Sequence, residues 1–108
     1  MNEYERRREW LVGLLEAYRE TPAEAAEHKF IDKLLRISRA AAGSSDSEKR
    51  YHNLIVLRYI TAKRYSVQKI CQVVHVGRQR ENYEKITGDA IDRLMILVFG
   101  IDGIRWTE

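Results

Sequence analysis

Pro22 is the only proline in this chain of 108 residues, and there are only six glycines. Proline and glycine break helices and supply the tight turns that strand-rich folds require. A chain this poor in them builds long helices readily and a many-turned β-fold with difficulty. Apolar residues recur at helical spacing between the breakers, and no segment alternates convincingly as a strand. The expected fold class is therefore all-α.

The first expected helix runs from about Asn2 to Glu20, with Asn2 as N-cap. Its apolar positions are Tyr4, Trp10, Leu11, Leu14, Leu15 and Tyr18. Thr21, Pro22 and Glu24 then read as N-cap, first helical residue and capping box of a second helix reaching about Ala42. Its stripe is Ala23, Ala26, Phe30, Leu34 and Ile37, with Ile31 and Leu35 beside it. The run Gly43-Ser44-Ser45-Asp46-Ser47 is the one clear linker. A third helix follows from about Ser47 to Thr61. After a break at residues 62–65, Ser66 caps a short helix carrying Val67, Ile70, Cys71 and Val74. Val76-Gly77 reads as a turn. The last helix runs from near Arg80 to about Phe99, striped by Tyr83, Ile86, Ala90, Leu94 and Leu97, and Gly100 and Gly103 stop it. The chain divides into an N-terminal hairpin (1–42), a C-terminal region (47–100) and a tail (101–108) that includes Ile104 and Trp106.

Charge separates these regions. The net charge is +3, which says little by itself. Residues 1–42 carry eight basic and eight acidic side chains, whereas residues 49–85 carry nine basic against two acidic, and residues 86–108 are acidic. A basic central band suits a polyanionic partner. With 44% apolar and 32% charged residues the chain is globular rather than disordered. The lone Cys71 forms no internal disulfide. No signal-peptide pattern occurs, and the longest apolar run, Leu94 to Phe99, is far short of the ~20 residues that span a bilayer. A cytoplasmic protein without a membrane partner is the expectation.

The informative stretch is Leu54 to Leu94. It reads helix, short helix, tight turn, helix, the order of a trihelical helix-turn-helix domain. A helix that reads the major groove needs donor-rich residues in its first two turns and an apolar rear. Here Arg78, Gln79, Arg80, Asn82 and Lys85 supply the donors, and Tyr83, Ile86 and Ala90 the rear. Arginine suits guanine and phosphate, and glutamine and asparagine suit adenine. Lys63, Arg64 and Lys69 lie just upstream as further candidate DNA-binding residues.

This stretch resembles the helix-turn-helix of sigma-factor region 4, especially that of small phage-type transcriptional regulators of the ArpU and RinA kind. The resemblance rests on Leu54 to Ile60, on Tyr65 to Cys71, on Val74-His75-Val76, and on Tyr83, Ala90 and Leu94. Ile70-Cys71 resembles the Ile-Ala pair of that motif, and Tyr83 its recognition-helix anchor. Gly77 departs from it: those families usually place Ser or Thr directly after the second turn hydrophobic, and Tyr83 falls about two residues late. The resemblance implies a sequence-specific regulator of prophage or phage-derived genes, acting on double-stranded DNA alone or with RNA polymerase. The hairpin would serve dimerisation or polymerase contact, and a homodimer suits two-fold operators. In such a domain Arg58 braces the motif rather than touching DNA.

Other chemistry is less well supported. Cys71 and His75 are four apart and could share a helix face, but two ligands are too few for zinc. A core thiol is the simpler reading of Cys71. No phosphate-binding Gly-rich loop or His-Glu-x-x-His pattern occurs, so neither an enzyme nor a cofactor is expected. Arg6-Arg7-Arg8 lies among Glu3, Glu5 and Glu9, which favours ion pairs within the helix over a nucleic-acid arm. A helical interaction module, such as a phage assembly or adaptor subunit, is the competing reading of the whole chain.

Overall fold

The computed structural model describes residues 1–104, and they form an all-α fold. Five α-helices follow in order: α1 (Glu3–Ala17), α2 (Ala26–Ala42), α3 (Asp46–Ile55), α4 (Val67–Val73) and α5 (Arg80–Phe99). Trp106 lies outside the described residues. Among those described, no helix is long and apolar enough to cross a membrane.

The caps explain the helix ends. The Asn2 side chain accepts from the Glu5 N–H at 2.8 Å and opens α1. That helix tightens into a 3₁₀ turn at Tyr18–Glu20, where the Thr21 hydroxyl donates back to the Ala17 carbonyl at 2.7 Å. Thr21 therefore closes α1 instead of capping α2. A turn over Pro22–Ala25 intervenes, and α2 starts at Ala26 with no side-chain cap, later than its sequence signals suggest. Ser45 caps α3, which starts at Asp46, one residue before the expected start near Ser47. The third expected helix is also not uniform, because α3 widens into a π turn over Val56–Ile60.

One core joins both halves of the chain. Leu11 and Leu15 of α1, Ile31 and Leu34 of α2, and Leu54 and Ile55 of α3 meet Ile70, Cys71 and Val74 around α5. α5 contributes Tyr83, Ile86, Ala90, Ile91, Leu94 and Met95 along its length. The buried stripe of α2 is Ile31, Leu34, Ser38 and Ala42. The expected stripe is turned outward except at Leu34: Ala23, Ala26 and Ile37 are exposed and Phe30 is half-buried. Ile31 and Leu35 were the flanking positions of that stripe, so the helix is rotated toward them.

Polar contacts fasten the helices to α5. Tyr4 donates to Asp92 at 2.7 Å, and Arg8 pairs with the same carboxylate. Arg6 and Arg7 do pair with Glu3 within α1, whereas Arg8 reaches across to another helix. Arg93 of α5 donates to Glu48 of α3 at 2.8 Å, to the Ser38 hydroxyl of α2 at 2.6 Å and to the Ser38 carbonyl at 2.7 Å. Ser38, fully buried, lies 2.9 Å from His52 Nδ1. Its oxygen accepts from Arg93, which leaves its own proton to donate to an unprotonated Nδ1. Burial, then the charges of Arg93 and Arg39, hold the His52 pKa below the ordinary histidine value of 6.5. The unfolded chain therefore takes up this proton first. The stability that neutral His52 contributes is complete above the unfolded value and is lost as pH falls through it toward the lower folded value. Urea midpoints at about pH 8 and about pH 5 should differ less in His52→Gln than in the natural sequence. An unchanged difference would remove His52 as the source.

Candidate nucleic-acid interface

The α4–α5 segment is built on three buried anchors and a pinned turn. Ser66 accepts from the Lys69 N–H at 3.1 Å and starts α4. Ile70, Cys71 and Val74 are buried beneath it. Between Val73 and Arg80 the backbone turns, with His75 in the left-handed region at φ 58°. Arg50 of α3 donates to the Val74 carbonyl at 2.7 Å and the His75 carbonyl at 3.2 Å. These are carbonyls that a helix C-terminus leaves without partners. Gly77 fits the turn because a Cβ there would lie 2.5 Å from Asn82 Nδ2, so that side chain would have to move.

α5 begins at Arg80 with Gln79 as N-cap and no side-chain hydrogen bond onto its first turn. Tyr83, Ile86 and Ala90 are buried, as the rear of such a helix requires. Arg58 lies over the Tyr83 ring, 4.5 Å from its centroid, and donates to the Thr87 hydroxyl at 2.9 Å and to Glu84 at 3.3 Å. Thr87 in turn donates to the Tyr83 carbonyl at 2.8 Å. Arg58 thus ties the π turn to α5, the bracing expected of it. Burial raises the Tyr83 hydroxyl pKa above its usual value, against the nearby charge of Arg58.

The candidate contact residues fall into two groups. Arg78, Gln79, Arg80, Asn82 and Lys85 are all exposed at the start of α5 or just before it. Arg80 pairs with Glu84 at 3.3 Å and Lys85 with Asp89 at 3.1 Å, both along their own helix. At 3.6 residues per turn, Arg80 and Lys85 sit about 140° apart around α5, with Glu81 between them. They form two shoulders rather than one stripe. Asn82 and Lys85 line a cleft of about 360 Å³ that Ser47, Arg50 and Tyr51 close from α3. Lys63 and Arg64 belong to the loop before α4: Lys63 lies over the Tyr65 ring at 5.2 Å, and Arg64 pairs with Glu20 at 3.2 Å, leaning toward the end of α1. Lys69 is exposed on α4.

Two residues of the basic band are structural. Arg50 holds the turn and Arg58 the brace, and nothing local in the sequence distinguished Arg50 from its exposed neighbours. Cys71 and His75 do not share a helix face. Cys71 is fully buried, and His75 is exposed beyond the end of α4. No protein-family model, curated protein or solved structure matches the chain.

Proposed function

We propose that this protein is a sequence-specific, DNA-binding transcriptional regulator that uses α4, the following turn and α5 as a helix-turn-helix of the sigma region 4-like, ArpU/RinA kind. In this reading it is a phage or prophage-derived protein of the cytoplasm and not an enzyme. It acts on double-stranded DNA alone or with RNA polymerase, and two copies suit a two-fold operator. The observation that carries the reading is the start of α5. Its first turn is uncapped, exposed and flanked by Arg78, Gln79, Arg80 and Asn82, while its rear is anchored in the core. Open N–H groups at a helix N-terminus favour a phosphate, and the side chains beside them favour base edges. Arg50 and Arg58 fix the turn and the helix that carries these groups, which limits the ordering required on binding.

Exposed ion pairs are worth little, so Arg80 and Lys85 can exchange Glu84 and Asp89 for phosphates at small cost. The test is fluorescence anisotropy with mixed-sequence duplex DNA across a salt series. The logarithm of affinity should fall linearly with the logarithm of salt, with a slope of about −3 to −5 for four or five neutralised phosphates. No binding at low salt sinks the proposal. The second reading, a helical interaction module, is favoured by a different observation: Trp10 and Ile37 are exposed on the hairpin. It predicts that the α5 cations tolerate substitution.

A further inference from the structure

The end of α2 and one face of α3 enclose a cleft of about 660 Å³. Small-molecule sites occupy roughly 300–1,000 Å³. Arg39 and Ala42 line it from the last turn of α2. Lys49, His52, Asn53 and Val56 line it from α3 and the start of the π turn, and their spacing puts them on one helix face. No carboxylate is among its lining residues. The other clefts differ in this: the one beside α5 includes Asp89, the groove beside Trp10 includes Glu3, and the cleft at the end of α1 includes Glu20.

Arg39 alone would need no ligand, because the carbonyls that end a helix favour a cation in its last turn. That reason does not extend to Lys49. It brings a second positive charge to the same cleft from the first turn of α3, where the helix dipole disfavours a cation. Its neighbour Glu48 is taken by Arg93. Neither the Arg39 nor the Lys49 side chain has an ion pair or hydrogen bond among the described residues. His52 faces the same charges. Its Nδ1 accepts from Ser38, so the neutral ring carries its proton on Nε2, a donor with no partner among the described residues. Burial, Arg93 and Arg39 together oppose its protonation, and an anion in the cleft would offset the two guanidinium charges.

We propose that this cleft binds the phosphate group of a small phosphate monoester, held by Arg39, Lys49 and the His52 ring N–H. A monoester carries a charge of about −1.5 to −2 at pH 7, which two cations balance. A DNA phosphodiester carries only one. The site shares no residue with the proposed DNA contacts and does not rest on that reading.

The test titrates the full chain with inorganic phosphate at pH 7.5 and constant ionic strength, followed by NMR of the His52 ring and the Asn53 side-chain amide. Both sets of signals should shift saturably. Bound phosphate should also move the His52 titration upward, since an anion favours the imidazolium. Arg39→Gln/Lys49→Gln should weaken phosphate binding about tenfold or more. Lys29→Gln/Lys33→Gln removes the same charge from α2 away from the cleft and should leave it unchanged. All four positions are exposed, so both variants should fold, which circular dichroism checks. Absence of a saturable shift overturns the proposal. Equal weakening by the two double variants also overturns it, since that is an effect of net charge. The same titrations are repeated with duplex DNA. Arg39→Gln/Lys49→Gln should leave DNA affinity unchanged, and a loss there without binding of free phosphate would assign the cleft to the DNA backbone instead.

Discussion

Arg93→Ala should lower the stability of this protein by about 3 kcal/mol. The Arg93 side chain is 10% exposed and spends its donors on three partners from two other helices. Removing it leaves the buried Ser38 hydroxyl without its charged donor and the Ser38 carbonyl without that partner, and frees Glu48 from its ion pair. For a chain of this size the loss corresponds to a fall in Tm of roughly 12–24 °C. Arg93→Lys should recover only part of it, because a single ammonium cannot reproduce the planar fork that reaches Glu48 and both Ser38 oxygens. A second readout separates this network from simple loss of packing. The Arg93 charge is one cause of the depressed His52 pKa, so Arg93→Ala should move the His52 titration upward by NMR. A Tm change of only a few degrees, with His52 titrating as before, would show that the clamp is incidental.

That network also marks where reading the sequence stops. The all-α class was legible because Pro22 and six glycines leave long stretches with helical apolar spacing. The Asn2 and Ser66 caps and both ends of α5 were legible for the same local reason: each is decided by residues within one turn. Thr21 was misleading because its hydroxyl has two local uses, and donation back to Ala17 prevailed over capping α2. The α2 stripe was misleading for a different reason. That helix has two overlapping apolar rows, and only the placement of its neighbours decides which is buried. Ser38 sits in the buried row, where a polar residue is a poor sequence signal for the core, and it is satisfied by a guanidinium 55 positions along the chain. In the candidate site, the exposure of the α5 cations and the Arg58 brace were legible. The use of Arg50 to hold the turn was not, since its carbonyl partners are 24 and 25 residues away and carry no sequence signature. The division of Arg80 and Lys85 between two shoulders follows from their five-residue spacing once α5 is a helix.

This division supplies the sharpest test of the functional proposal, because it predicts opposite signs for neighbouring residues. The double variant Arg78→Ala/Arg80→Ala should weaken binding to duplex DNA by about 100-fold at moderate salt and reduce the salt slope by about two. Both side chains are exposed, so the fold should survive their loss. Glu81→Gln should act in the other direction. Its carboxylate stands in the first turn of α5 between the two cationic shoulders, where a phosphate or base edge would approach, and its neutralisation should tighten binding several-fold, worth about 1 kcal/mol. Glu84→Gln is the less clean variant, because Glu84 also receives Arg58 and its loss disturbs the brace. Gln79 and Asn82 carry no charge. Gln79→Ala should leave the salt slope unchanged while reducing discrimination between DNA sequences by about 1–3 kcal/mol. A merely solvated basic surface predicts none of this pattern. If the arginine pair, Glu81 and Gln79 can each be substituted with no change in affinity, slope or sequence preference, α5 does not read DNA.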